Sequence, residues 1–335
     1  MKVVVAIDSF KGSMTSVQAG NACKEGILAA AYAHCGSGAA AAKDRKPAAD
    51  NMDVVVKPLA DGGEGTVEAL VEGMNGIYEY VTVTDPMGSH VKARYGILSD
   101  QTAVMEMAEA SGITLVKEPL NPWKAASTGV GEMILDAVQK GCRKFIIGIG
   151  GSATTEGGIG MLSALGYDFM DENADILPPV FASLEKVVQI ENNRVPEVLK
   201  DCHFQIACDV TNPLCGAQGC VYVFGAQKGV KEEEKESMDR AMQSYAACLE
   251  KFTGKKLSEI PGTGAAGGLG FAFLWGLPNV ELKPGIDIVL EAVGLASELQ
   301  DADIVVTGEG CLDFQTAMGK VPVLSLIHIS EPTRL

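Results

Sequence analysis

FIIGIGGSATTEGG, residues Phe145 to Gly158, sets the fold class of this 335-residue chain. A run of β-type apolar residues, Phe145 to Ile149, ends in glycines, and an apolar helix pattern follows to about Leu165. A buried strand that enters a helix through a glycine turn is the repeating unit of parallel α/β sheets. Gly148, Gly150 and Ala153 also fit G-x-G-x-x-A, the turn that holds pyrophosphate in dinucleotide-binding domains. Glycine turns at strand ends hold other phosphate ligands through the same backbone N–H groups. The rest of the chain has to decide between them.

Outward from this stretch the same alternation recurs. Val3–Ile7 is a continuous Val, Ala and Ile run, Thr15–Ala33 an alanine-rich helix pattern, and Val54–Val56 a short strand. LADGGEGTVEAL (59–70) turns through glycines into another helix. CGSGAAAAKDRKPAAD (35–50) is low-complexity and reads as an exposed excursion. Between Ile77 and Ala108 the texture changes to apolar–polar alternation, as in half-exposed or antiparallel strands, which marks the start of a second, mixed domain. From Ser127 the helix pattern returns, with a stripe of Val130, Met133, Ile134, Ala137 and Val138 and a stop at Gly141. Phe204–Cys208 reads as a strand that ends at Asp209, and Lys231 to about Phe252 as a charged helix. GTGAAGGLGFAFLWG (262–276) is a glycine-rich apolar segment of unassigned structure. Ile286, Val289, Leu290 and Val293 make a further helical stripe, and Ile304–Val306 a last strand. The length and the alternation together predict two α/β domains with mainly parallel sheets.

Charge and composition exclude several functions. Lys and Arg total 27 against 43 Asp and Glu, a net charge of −16, so nucleic acid and anionic membrane are not expected partners. A nest of backbone N–H groups can still hold a small anion, and Mg²⁺ would mediate if that anion is a nucleoside triphosphate. The N-terminus shows no apolar targeting segment, and no apolar run is long enough for a membrane helix. The nine cysteines lack disulfide-framework spacing, which suits a reducing cytoplasm. Cys202, Cys208, Cys215 and Cys220 are spaced more widely than zinc pairs and read as incidental thiols. The four histidines accompany no nucleophile motif, and neither a P-loop nor the protein-kinase signature set occurs.

The chemistry collects at strand ends, where ligands of open α/β sheets bind. DSFKGS (8–13), ADGGEGT (60–66), GGSATTEGG (150–158) and TGEGCLDFQT (307–316) each combine glycines with hydroxyls, carboxylates or both. CDVTNPLCG (208–216) adds an acid with fewer glycines. Glycines let the backbone approach a phosphate, hydroxyls donate to its oxygens, and carboxylates hold Mg²⁺ or accept a hydroxyl proton. Taken singly, each has a bland explanation: Asp8 can cap a turn, Gly62, Gly63 and Gly65 can supply positive φ, and Lys11 and Lys320 can be solvated. Glu309 and Asp313 can cap a helix. Four such loops exceed what turn-making needs. A dinucleotide site would use an acid about 20 residues on, here Asp168 or Asp171. Against it, roughly 145 residues precede the turn, where a Rossmann domain starts with its fingerprint. Ser152, Thr154, Thr155 and Glu156 also exceed what a pyrophosphate turn needs.

Together the loops resemble one family, the bacterial glycerate kinases of the glycerate 2-kinase type. The likeness runs through VVVAIDSFKGSMTSVQA (3–19), PLADGGEGTVEAL (58–70), VTDPMGSHVKARYGIL (83–98), EMAEASGI (106–113) and ASTGVGEMILDA (126–137). It continues through IIGIGGSATTEGGIGML (146–162), ACDVTNPLCG (207–216), VFGAQKG (223–229), PGTGAAGGLG (261–270), LKPGIDIVLEA (282–292) and TGEGCLDFQTAMGK (307–320). Thr155-Glu156 stands where the family usually has Asn-Asp, Cys311 where an arginine is common, and 35–50 looks like an insertion. The likeness stops near Val323, and LSLIHISEPTRL (324–335) resembles translated sequencing-adapter sequence, so a truncated or artefactual end is expected.

The resemblance implies two different α/β domains. One is flavodoxin-like with a mainly parallel sheet, built from 1–76 and 285–335, with Val3–Ile7 and Ile304–Val306 in one sheet. The other, mixed α/β, is inserted at 77–284. The activity it implies is transfer of the γ-phosphoryl group of ATP to D-glycerate, with ATP as co-substrate and Mg²⁺ as cofactor, in the cytoplasm and with self-assembly left open. On the same ground Asp8, Lys11, Asp61, Asp209 and Asp313 form the catalytic set, with Asp209 and Asp313 as Mg²⁺ ligands. Ser9, Ser13, Gly62, Gly63, Glu64, Gly150, Gly151, Ser152, Thr154, Asn212, Lys228, Gly308, Glu309, Gln315 and Lys320 bind substrate or phosphate. The competing expectations are an NAD-dependent oxidoreductase using the turn at 148–153 and a nucleotide sensor that binds ATP without consuming it.

Overall fold

The structure of the chain, a computed structural model, describes residues 1–10, 12–36, 52–117 and 119–310. The described residues divide into two compact units, one from 1–76 and from Ile286 onward, the other from Ile77–Gly285.

The first unit opens with β1 (Lys2–Ile7), whose Val3, Val4, Val5 and Ala6 are all buried. α1 (Ser16–Gly36), β2 (Asp53–Val56) and α2 (Thr66–Gly73) follow. Thr15 and Gln18 start α1 reciprocally: the Thr15 hydroxyl accepts the Gln18 N–H at 3.2 Å, and the Gln18 side chain accepts the Thr15 N–H at 3.1 Å. Gly65 precedes α2 with φ +93°, a conformation that favours glycine at this turn.

The second unit carries a six-stranded mixed sheet and a separate two-stranded ribbon. β3 (Ile77–Thr84) and β4 (His90–Ile97) pair antiparallel as a hairpin, one of the two arrangements the alternating pattern allowed. Asp85 holds its turn by accepting the N–H groups of Met87 at 2.8 Å and Ser89 at 2.9 Å. β5 (Thr102–Glu106), α3 (Ala108–Ser111), α4 (Thr128–Gln139), β6 (Lys144–Gly148) and α5 (Ile159–Ala164) follow. β7 (Asp168–Met170) and β8 (Gln189–Glu191) make the ribbon, and β9 (His203–Ala207) returns to the main sheet. Then come α6 (Cys220–Phe224), α7 (Lys235–Thr253), α8 (Ala265–Gly276) and β10 (Val280–Lys283). The order in the main sheet is β10-β9-β6-β5-β4-β3, with the first four strands parallel and the last two joined antiparallel. Its core includes Phe145 stacked on Phe204, ring centroids 4.7 Å apart, and the α4 stripe of Val130, Met133, Ile134, Ala137 and Val138, all buried.

Most of the segment left unassigned in the sequence, 262–276, forms α8, with a break at Ala266–Gly268. Burial decides this, because Leu269, Phe271, Ala272 and Phe273 are fully enclosed and outweigh poor local propensity. The charged helix starts later than expected, since Glu232–Glu234 form a short 3₁₀ turn before α7. β7, β8 and β10 are too short, at three to four residues, for a period-2 pattern to register.

The chain then returns to the first unit through α9 (Gly285–Ala292), α10 (Leu295–Leu299) and β11 (Ile304–Gly308). β11 pairs parallel with β1, Val3 opposite Ile304 and Ile7 opposite Gly308, giving the sheet order β11-β1-β2. Among the described residues no helix is long and apolar enough to cross a membrane.

Candidate active site

In the second unit β6 and β9 are parallel neighbours, with Gly148 opposite Ala207, so the loops at 149–158 and 208–216 leave adjacent strands at the same edge. Gly150 and Gly151 are exposed and everything from Ser152 to Gly160 is buried, so the loop presents only a two-glycine rim to solvent. Gly151 has φ +72°. The end of α3 and the segment after it anchor the loop: Ile113 N–H donates to the Gly151 carbonyl at 2.9 Å, and Ala153 N–H to the Ser111 carbonyl at 3.0 Å.

Beneath the rim the loop is polar. Lys228 is 2 % exposed, and its ammonium donates to Ser152 Oγ and to the Thr154 carbonyl, both at 2.6 Å. Lys228 and Thr154, expected to touch phosphate, therefore lie inside the loop's support. Glu156, one of the polar residues beyond what a pyrophosphate turn needs, is wholly buried. It is a structural acceptor: its carboxylate takes the N–H of Ser127 at 2.7 Å, the Ser127 hydroxyl, and the N–H groups of Gly158 and Gly160 at 3.3 Å. Those donors start α4 and α5, so one carboxylate satisfies two helix N-termini. Burial pushes its pKa up, and the donors around it pull the other way. Sequence reasoning missed Ser127, which has no signal beyond standing before a helix.

The glycines of α8 complete this support. Ala266, Gly267 and Gly268 take positive φ, and the Gly267 carbonyl accepts the Gly157 N–H at 2.9 Å. A Cβ on Gly267 would lie 2.0 Å from the Thr154 carbonyl oxygen. Gly267→Ala is therefore expected to displace the 150–158 loop and to cost about 3 kcal/mol or more, from overpacking plus the left-handed backbone. Urea unfolding of the variant checks this, and a midpoint within error of the parent would count against the close approach.

In the loop after β9, Asp209 is exposed and its Oδ1 accepts the Gly285 N–H at 2.9 Å. Asn212 donates through Nδ2 to the Gln218 carbonyl at 2.8 Å, so its side chain shapes the loop.

In the first unit the ends of β1 and β11 meet, with Asp8 N–H donating to the Gly308 carbonyl at 2.9 Å. Asp8 is 8 % exposed and accepts the Ser9 N–H at 2.6 Å. Asp61 accepts the Gly63 N–H at 3.0 Å, and the Thr66 hydroxyl donates to the Gly63 carbonyl at 2.8 Å. Ser9, Ser13, Ser16, Glu64, Gly65 and Glu68 line a depression of about 320 Å³, which brings Ser9, Ser13 and Glu64 to one place. Ser16 and Glu68 were not singled out, although both lie within the quoted stretches 3–19 and 58–70. Glu309 follows β11 and is half-buried. Lys11, Asp313, Gln315 and Lys320 lie outside the described residues.

Among the described residues no group of three His, Cys, Asp or Glu side chains could hold a metal ion. Mg²⁺ needs no such cage, since it binds through one or two carboxylates together with substrate phosphates and water. An exposed Asp209 fits that kind of site.

The model of the glycerate kinase family matches residues 3–329. The chain belongs to the glycerate kinase family. A glycerate kinase of Haemophilus influenzae is 41% identical over 325 residues, 96% of this chain and 81% of the relative. The glycerate 2-kinase of Escherichia coli K12 is 40% identical over 325 residues, 96% of this chain and 80% of the relative. A crystal structure of a Salmonella typhimurium LT2 protein assigned as glycerate kinase 2 superposes at a TM-score of 0.90. It is 38% identical, covering all of this chain and 85% of the other. The glycerate kinase match runs to residue 329, past Val323 where the sequence reading ended it. It also displaces the NAD-dependent oxidoreductase. Asp168, the acid at the ribose spacing, is instead held by Arg194, whose Nε donates to it at 2.9 Å in a bidentate pair that keeps its carboxyl below the usual range. In this glycerate kinase family member the G-x-G-x-x-A turn is a glycine rim on a mixed sheet.

Proposed function

We propose that this chain transfers the γ-phosphoryl group of ATP to D-glycerate, giving 2-phosphoglycerate and ADP. The observation that supports it most is identity of about 40% with the E. coli glycerate 2-kinase over 96% of the chain. The glycerate 2-hydroxyl oxygen forms the new O–P bond, the bond to the β-phosphate oxygen breaks, and a carboxylate takes the hydroxyl proton. Phosphoryl transfer asks for positioning and charge neutralisation more than covalent chemistry. Gly150, Gly151 and Ser152 would hold nucleotide phosphates through backbone N–H groups and a hydroxyl, Thr154 contributing backbone only. Ser9, Ser13 and Lys11 would take a substrate carboxylate or phosphate, and Asp8, Asp61, Asp209 and Asp313 supply the proton acceptor and the acidic groups. Asp209 and Asp313 would hold Mg²⁺, which neutralises charge on the phosphate oxygens when bound. The cytoplasm, where ATP and thiols coexist, is the proposed compartment.

An ADP-release assay tests the reaction. ADP should appear with ATP, Mg²⁺ and D-glycerate, and not when glycerate is omitted. No ADP above the glycerate-free background would overturn the proposal and favour a nucleotide sensor. Resolving 2- from 3-phosphoglycerate in the product tests which hydroxyl is used.

A further inference from the structure

Among the described residues Lys228 is the only buried lysine, and none of their carboxylates forms an ion pair with it. Its neighbours do little to compensate the charge. Burial pushes the Cys220 thiol on α6 up to about 12, so it is neutral at pH 7, and it pushes the Tyr245 hydroxyl on α7, which Glu156 acts on, well above its usual value. Asp239 on α7 acts on Cys220, and Glu156, itself pushed upward by burial, is the charged group that acts on Lys228. Burial accordingly lowers the Lys228 amine to about 8.

An ammonium donates and never accepts, so Ser152 Oγ must accept from Lys228 and its own proton is left to donate elsewhere. Once deprotonated, the amine can accept, and the Ser152 hydroxyl can turn inward to it. The exposed Gly150–Gly151 rim directly precedes that hydroxyl. We propose that Lys228 is a positioning residue for the nucleotide phosphates: its ammonium holds Ser152 Oγ and the Thr154 carbonyl so that the Ser152 hydroxyl proton points toward a phosphate on the rim, and that phosphate in turn retains the proton on Lys228. This rests on the reading that the rim takes nucleotide phosphates.

Nucleotide binding should then be linked to one proton on Lys228. The full chain is titrated with ADP and Mg²⁺ by calorimetry from pH 7 to pH 9, in buffers of different ionisation heat. The protonated fraction falls about tenfold across that window, so Kd should rise about tenfold, with proton uptake on binding near pH 8. Lys228→Met should bind at least about tenfold more weakly at pH 7, with a Kd that no longer changes with pH. Ser152→Ala keeps the backbone and adds no volume, so it serves if the methionine variant does not fold. It should bind several-fold more weakly at pH 7 and show a shallower pH dependence. A parent Kd constant from pH 7 to pH 9 without proton uptake, or the parent slope retained in Lys228→Met, overturns the proposal. Absence of ADP binding by the parent at every pH overturns the phosphate rim itself, a different and separable failure.

Discussion

Asp209→Asn is expected to lower turnover with ATP and D-glycerate by about 10²–10⁴-fold while the protein stays folded. The folding half follows from geometry. Asp209 is exposed, and its Oδ1 accepts the Gly285 N–H, a contact that an asparagine carbonyl oxygen can also make. Helix and sheet around it should therefore persist, and circular dichroism and the unfolding midpoint should match the parent. The activity half follows from charge: asparagine neither accepts a proton nor offers an anionic oxygen to Mg²⁺. Loss of a proton acceptor would lower kcat at saturating Mg²⁺, whereas loss of a metal contact would be partly recovered by raising Mg²⁺. Turnover within threefold of the parent at all Mg²⁺ concentrations removes Asp209 from the acidic set. The same substitution at Asp313 is expected to have a comparable effect on turnover.

Glu156→Ala is expected to destabilise the protein by about 3–5 kcal/mol, because it leaves buried donors without an acceptor. The Ser127 N–H and hydroxyl and the Gly158 and Gly160 N–H groups all converge on this carboxylate. None can reach water, since Ser127, Gly158 and Gly160 are buried. Glu156→Gln keeps one acceptor oxygen at the Ser127 side and should cost about 1–2 kcal/mol. A pH signature separates the two. Burial raises the folded-state pKa of Glu156 above its unfolded value, so its contribution is present below the unfolded pKa and is lost as pH rises through the folded pKa. The glutamine variant, which does not titrate, should lack that decline. Urea unfolding at several pH values measures both, and an alanine variant within about 1 kcal/mol of the parent would show that the donors find other partners.

Within the 150–158 loop, residue types alone do not tell which side chains face solvent. Thr154, Glu156 and Lys228 carry the residue types of a phosphate site, and in sequence nothing separates them from Ser152. Burial separates them. Gly150 and Gly151 face outward, while Thr154 and Glu156 are fully enclosed by α4, α5 and α8. Lys228, 76 residues from Ser152, reaches the loop only through the fold. Glycines alone could not place α8 either, because its helix exists where Phe271 and Phe273 are buried and breaks where Gly267 and Gly268 pass the loop.

By itself the sequence determined the α/β class, the strands that end in glycine loops, the change of texture at Ile77 and the family resemblance. These depend on local periodicity and on short motifs, which are written in consecutive residues. The resemblance already implied β1 and β11 in one sheet, and the tertiary structure alone decided their register, Val3 opposite Ile304 across 301 residues, the mixed sheet order, and which polar side chains of the glycine loop meet solvent. Those properties depend on which distant segments cover a residue. Burial decides whether a carboxylate or an amine serves a ligand or the fold, and no spacing along the chain encodes it.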